Sequence, residues 1–285
     1  MTEAIETLPA LLERNARLYG NKPAFREKEF GIWQTWSWKQ VFEEVSNLSL
    51  GLLSLGVNDG EHVCIIGRNR PQLYWSILAL QNIGAIPTPM YQDAVAQEMV
   101  FPLSHCAAKL AIVEDQEQVD KLLEISDQIS DLEKIIYLDP RGLRNYETKN
   151  LHPWAEISSI GSQKKKDLIR KLEERKRNQG LDTKCILLYT SGTTGRSKGV
   201  VLCNKNVLES GKAGVKFDGI NQEFSLICYL PMAWVGDFAF TMGLGLQSGM
   251  CLCCPESAET LQEDMREIGP SYFFGPPRFF ESLLT

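Results

Sequence analysis

Residues 61–91 read EHVCIIGRNRPQLYWSILALQNIGAIPTPMY. His62–Ile66 is a short apolar run of strand length, Pro71–Ile83 reads as a helix, and Ala85–Pro87 opens a second strand. Strand, helix and strand in that order make a βαβ unit, whose crossover is right-handed when the strands are parallel. The alternation continues downstream. Ala94–His105 is a second helix, Leu110–Val113 a third strand, Gln116–Ile129 a helix and Lys134–Leu138 a fourth strand. The fold class is therefore α/β, with mostly parallel sheets flanked by helices.

Upstream, Lys39–Leu55 is an amphipathic helix stopped at Gly56. Residues 24–38, AFREKEFGIWQTWSW, carry five aromatics and a Phe30-Gly31 turn, and read as a hairpin. Before it, Thr7 is placed to cap a helix with Pro9 in its first turn and Gly20 past its end, and Leu11, Leu12, Ala16 and Tyr19 form its apolar stripe.

Residues 161–182, GSQKKKDLIRKLEERKRNQGLD, interrupt this order with eight Lys or Arg between Lys164 and Arg177. Asp167, Glu173 and Glu174 dilute the basic run, which favours a solvated connecting helix over a membrane-surface or acidic-partner patch. Three units are expected: an N-terminal α/β lobe over 1–160, a charged helical connector over 161–183, and a second α/β lobe over 184–285. The second lobe reads as strand Cys185–Tyr189, a Gly/Thr segment, a short strand Val200–Leu202, and a helix Asn204–Gly214 capped by Asn204. Strand Phe224–Tyr229, helix Asp237–Leu246, strand Met250–Cys254, helix Glu259–Ile268 and strand Tyr272–Phe274 follow. PPRFFESLLT begins a last helix without a C-terminal stop signal, so the second lobe is expected to be truncated at its C-terminal end.

At 285 residues, 44% hydrophobic and 23% charged, the composition is that of a globular protein with a sizeable core. A net charge of −6 argues against general nucleic-acid binding, which needs a basic face. The eight cysteines lie largely inside apolar runs, as in Cys185-Ile-Leu-Leu, and suggest buried thiols in a reducing, cytoplasmic setting. Cys251-Leu-Cys253-Cys254 lacks zinc-knuckle spacing and a nearby His, and reads as core strand, with no metal ligands assigned. The N-terminus lacks a basic segment leading into an apolar stretch, so it is not read as a secretory signal. Phe238–Pro255 is uncharged and about as long as the shortest spanning helices. Gly243, Gly245 and Gly249 instead favour a helix to Leu246, a turn and a buried strand.

Directly after the apolar Ile186-Leu187-Leu188 comes YTSGTTGRSKGV, residues 189–200. Glycines let backbone N–H groups converge on an anion, the hydroxyls of Thr190, Ser191, Thr193 and Thr194 add donors, and Lys198 adds a charge. Composition alone leaves an anion cradle and a flexible loop both open. It is not a P-loop, since the fifth residue after Gly192 is Ser197 rather than Gly.

The full string closely resembles the phosphate-loop signature of adenylate-forming enzymes, the superfamily of acyl-CoA synthetases, luciferases and peptide-synthetase adenylation domains. TWSWKQVFEEVSNLSLGLLSLGV (35–57) and residues 61–91 resemble the N-terminal part of AMP-forming long-chain fatty acyl-CoA synthetases. ICYLPMAW (227–234) resembles the family's second core motif, and YFFGPPRFFESL (272–283) the segment after it. The resemblance implies two partial lobes of the adenylate-forming N-terminal domain, and a two-step activation of a fatty acid. The carboxylate attacks the α-phosphate of ATP, releasing pyrophosphate; the thiol of coenzyme A then displaces AMP. It further implies that Thr190, Ser191, Gly192, Thr193, Thr194, Gly195 and Lys198 hold the β- and γ-phosphates, with Mg²⁺ as cofactor.

The same resemblance places Trp234, Val235, Gly275 and Pro276 at the acyl pocket. Many members carry His where this chain has Trp234, whose indole offers one donor and a large apolar wall; core packing is the competing reading. Asp237 is read as a helix cap. The family's later motifs, with the acidic metal ligand, the ribose aspartate and the catalytic lysine, match nothing within residues 1–285, so no catalytic residue is assigned and the isolated chain is expected to be inactive. Two alternatives stay open: a ligase for aryl or short-chain acids, and a non-catalytic nucleotide- or acyl-binding module. Peripheral contact with the inner face of a membrane and a homodimer are both compatible with the sequence.

Overall fold

A computed structural model describes residues 6–146, 149–190 and 197–282, without the side chains of Arg278 and Ser282. The chain opens with α1 (Leu8–Tyr19). Thr7 Oγ1 accepts from Ala10 N at 3.2 Å, a cap worth about 1 kcal/mol. Strands β1 (Pro23–Glu29) and β2 (Ile32–Ser37) form the expected antiparallel hairpin. Phe30 and Gly31 take φ of 49° and 74°, the left-handed pair that a two-residue hairpin turn demands. Ser37 and Gln40 then close a capping box on α2 (Trp38–Ser54).

Next come β3 (His62–Ile66), α3 (Pro71–Asn82), β4 (Ile86–Met90), α4 (Ala96–His105), β5 (Leu110–Val113), α5 (Gln116–Glu124) and β6 (Lys134–Tyr137). Strand β7 (Leu151–Pro153) and α6 (Trp154–Gln163) follow, in a stretch the sequence reading left unassigned. The five strands form one sheet in the order β4-β3-β5-β6-β7, parallel throughout. Successive residues in a strand face opposite sides. Val63, Ile65, Leu110 and Ile112 accordingly join one buried cluster, while Cys64, Ile66, Ala111 and Val113 join a second. Both faces are covered, which is why these strands read as unbroken apolar runs.

Helix α7 (Lys165–Arg177) is solvated as expected, with Leu172 its buried anchor. Strands β8 (Lys184–Thr190) and β9 (Lys198–Cys203) pair antiparallel, a local exception to the parallel pattern. Helix α8 (Asn204–Asp218) is capped by Cys203 rather than Asn204. Asn206 Oδ1 accepts from Cys203 N, while Asn204 Nδ2 is drawn away to Gly180 O, both at 3.0 Å. Strand β10 (Ser225–Ile227) leads to a continuous helical run: α9 (Val235–Phe238), a π-helical stretch (Ala239–Gly245) and α10 (Leu246–Ser248). Gly249, at φ +76°, ends it, and β11 (Cys251–Cys254) is a buried strand. Helices α11 (Leu261–Ile268) and α12 (Pro277–Ser282) complete the described chain. No helix among the described residues is long and apolar enough to cross a membrane.

A second sheet runs β10-β11-β1-β2. Strand β1 pairs parallel with β11, Phe25 opposite Leu252, so this sheet takes two strands from before residue 160 and two from after 184. Lys28 ties the hairpin to α11 through Asp264 and Glu267 at 2.9 and 2.7 Å.

Candidate functional site

Strands β8 and β9 are the two arms of the Gly/Thr segment. Ile186, Leu187 and Leu188 bury the first arm, and the register sets Tyr189 opposite Gly199 and Thr190 opposite Lys198. Thr190 Oγ1 donates to Lys198 O at 3.5 Å, and the Lys198 side chain is exposed. Ser191, Gly192, Thr193, Thr194 and Gly195 lie outside the described residues.

The base of this hairpin is gripped by the last turn of α4. Tyr189 Oη donates to Pro102 O at 3.2 Å and is hydrogen-bonded to His105 Nδ1 at 2.8 Å. Phe101 stacks on His105 at 5.3 Å and meets Tyr189 edge-on at 6.4 Å. On the other arm, a Cβ at Gly199 would sit 2.9 Å from Leu187 Cδ1, 3.6 Å from Tyr189 Cε1 and 3.9 Å from His105 Cε1. Both arms thus close on one imidazole. Burial raises the Tyr189 phenol well above its ordinary value, so it stays a donor. Sequence reasoning missed His105, because its partner lies 84 residues away.

The second element is an aromatic wall. Trp234 is half-buried at the head of α9, with its ring 6.3 Å from Phe274. Phe274 stacks on Phe240 at 4.1 Å, and Tyr229 stacks on Phe273 at 5.5 Å. Tyr229 Oη donates to Phe274 O at 3.1 Å, and burial pushes that phenol up to about 12. Gly275 fits because it lacks a Cβ, which would meet Tyr229 Oη at 2.7 Å and Phe273 Cε1 at 2.8 Å. Trp234 thus packs with the rings around Phe274 and Gly275 with those of Tyr229 and Phe273, two groups joined by the Tyr229–Phe274 hydrogen bond, while Val235, at 48%, and Pro276 are exposed.

Asp237 is no helix cap. It sits inside α9, 2% exposed, and accepts from Tyr74 Oη at 2.9 Å on both carboxylate oxygens. Burial drives its carboxyl well above the ordinary range, against the opposing hydrogen bonds from Tyr74 and Thr241. Nearby, at the C-terminal ends of β3 and β5, Glu114 accepts from Arg68 N at 2.6 Å and Arg70 Nε at 2.9 Å. Sheet order reverses between these two strands, the place where open α/β sheets form crevices. Here Glu114 and its two arginines stand at that place. Among the described residues no group of three His, Cys, Asp or Glu could hold a metal ion. Cys251–Cys254 is core strand, all four residues buried.

A family model described as AMP-binding enzyme matches residues 12–285. The long-chain-fatty-acid–CoA ligase ACSBG1 of Rattus norvegicus is 26% identical over 274 residues, covering 93% of this chain and 37% of the relative. ACSBG2 of Xenopus laevis, of the same description, is 27% identical over 286 residues, covering 97% and 38%. The chain thus spans well under half the length of the curated relatives it matches. Among solved structures, the anthranilate CoA ligase AuaEII in complex with anthranoyl-AMP superposes with a TM-score of 0.76 at 19% identity, covering 96% of this chain and 50% of that one. The N-terminal domain of FACL13 from Mycobacterium tuberculosis gives 0.72 at 18%, covering 94% and 62%. At such identities these two establish the fold, that of adenylate-forming N-terminal domains.

Proposed function

The chain belongs to the AMP-binding enzyme family, and from that premise we propose that it supplies the phosphate loop and part of the acyl pocket of an enzyme that activates a fatty acid with ATP and transfers it to coenzyme A. The observation that carries this reading is the hairpin whose register sets Thr190 opposite Lys198 at the mouth of YTSGTTGRSKGV. Residues 190–195 and Lys198 would hold the β- and γ-phosphates. Charge accumulates on the departing pyrophosphate, and donors fixed in advance stabilise it without reorganising. A rigid base under a glycine-rich tip suits a loop that must hold the phosphates and then release pyrophosphate.

Trp234, Val235, Gly275 and Pro276 would border the acyl group. The stacked rings around Phe274 offer an apolar wall for a long chain. Mg²⁺ would neutralise the phosphates, but the described residues hold no fitting cluster, so no ligand in this chain is assigned to it. The same reading sets the enzyme in the cytoplasm, with the exposed Lys164, Lys165 and Lys166 touching an anionic membrane surface. Reversing those three charges is expected to abolish binding to anionic vesicles, and unchanged binding removes that part.

The central test uses the complete gene product in a pyrophosphate-release assay with ATP, Mg²⁺ and a panel of carboxylic acids. Release with long-chain acids, and its loss by about a hundredfold in Lys198→Ala, is expected. No release with any acid overturns the reading. A preference for aryl or short-chain acids keeps adenylation and replaces the substrate.

A further inference from the structure

The loop after β3 and the segment after β10 meet at a buried polar cluster that the proposed chemistry does not use. Asn69 Nδ2 donates to Leu230 O at 2.8 Å and lies 3.3 Å from Asp237 Oδ1. Leu230 and Asp237 bracket a short segment with Trp234 and Val235 at its middle. One amide group therefore reaches both ends of the segment that presents those two side chains. The same nitrogen also lies 2.6 Å from Tyr74 Oη, whose hydroxyl bridges to both oxygens of Asp237.

Tyr74 is itself immobilised. It is fully buried on α3, with its ring 6.0 Å from Phe25 of β1. On the far side, Thr241 Oγ1 donates to Asp237 O at 2.6 Å and carries the connection into the π-helical run. Burying a carboxyl is costly, and apolar packing would join these elements at less cost. What a hydrogen-bonded cluster adds is geometric: each donor and acceptor accepts a narrow range of positions, so the segment has one register.

We propose that Asn69, Tyr74 and Asp237 form a latch that holds residues 230–237 in one conformation, and so fixes where Trp234 and Val235 stand against the acyl chain. These are positioning residues. The inference rests on the reading of this segment as the wall of the acyl pocket, and it makes chain selection depend on groups that never touch the substrate.

Two measurements test it. In the 285-residue chain, hydrogen exchange is followed for wild type, Tyr74→Phe, Asp237→Leu and Asp237→Asn. Tyr74→Phe, which keeps the ring packing, is expected to speed exchange of amides in 232–238 by about tenfold while β3 and β5 stay unchanged. In the complete gene product, Tyr74→Phe and Asp237→Leu are expected to raise KM for the fatty acid by about fivefold with KM for ATP within about twofold. Asp237→Asn keeps a neutral acceptor for Tyr74 and is expected to restore both readouts. Unaltered exchange at 232–238 in Tyr74→Phe, or equal changes in the two KM values, overturns the latch. If wild type has no ligase activity, the functional reading falls, and the exchange measurement alone still decides whether the latch exists.

Discussion

At Glu114, burial works against ionisation, but the charge of Arg70 and the hydrogen bonds from Arg68 outweigh it and hold the carboxyl below its ordinary range. A carboxylate lowered in the folded state contributes stability that is complete above its unfolded value, about 4.3, and is lost as pH falls through the folded value. Glu27 runs the other way: burial raises it despite Arg70, so its share of the pH dependence has the opposite sign. Glu114→Gln removes a shared partner from both arginines, but Arg70 keeps Glu27 at 3.1 Å and Arg68 is 43% exposed, so the cost falls below that of an unpaired buried charge, about 2 kcal/mol. Thermal melts should then show Glu114→Gln roughly 4–8 °C below wild type at pH 7, with the gap narrowing below about pH 4 as wild type takes up the same proton. A gap that widens on acidification rejects this account. None of this network stood out in the sequence. Glu114 is an acid after an apolar strand, and only the pairing of β3 with β5 brings Arg68 to it. Asp237 illustrates the same limit: three residues past Trp234 it looks like a cap, and Tyr74, 163 positions away, decides otherwise.

Elements were legible where the signal is local. Phe30-Gly31 announces the hairpin, Thr7 announces a helix start, and the short apolar runs announce buried strands. The crossing of α2 and α6 was not legible, because it depends on two glycines 110 residues apart meeting face to face. A Cβ at Gly161 would lie 1.9 Å from Asn47 O, and one at Gly51 would lie 2.2 Å from Ile157 O. Helix propensity favours Ala over Gly by about 1 kcal/mol. Backbone atoms cannot rotate out of the way, so overpacking of about 1–3 kcal/mol should win. Gly161→Ala is expected to lower the urea midpoint, and a raised midpoint would mean that the helices do not cross so closely. The hairpin of β8 and β9 supplies a second prediction at this scale. Tyr189→Phe keeps the ring but removes the hydroxyl shared by His105 and Pro102, a loss of about 1–2 kcal/mol. If that grip sets the phosphate loop, ATP affinity of the complete gene product should fall by about threefold to tenfold. A variant that melts earlier yet binds ATP as tightly would confine the grip to a structural role.

On the scale of the molecule, the sheets divide the chain differently from its charge pattern. The basic connector at 161–183 suggests two lobes in series, and the five-stranded sheet does lie wholly before it. The sheet of β10, β11, β1 and β2 does not. Strand β11 sits between β10 and β1, and Leu252, Cys253 and Cys254 are fully buried there. Arg14 and Asn15 of α1 add hydrogen bonds at 2.8 Å to Leu246 O, so the N-terminal helix also closes the end of the α9–α10 run. A fragment of residues 184–285 would leave β11 with an open edge where β1 pairs, and β8 without the β4 residues packed on it. Such an edge exposes unpaired backbone groups and apolar side chains together. The fragment should therefore show no cooperative thermal transition and should aggregate. The full chain should unfold in one transition, with far-ultraviolet circular dichroism and tryptophan fluorescence changing together. A cooperative melt of 184–285 alone would show that the pairing of β1 with β11 is dispensable, and that the second half folds by itself.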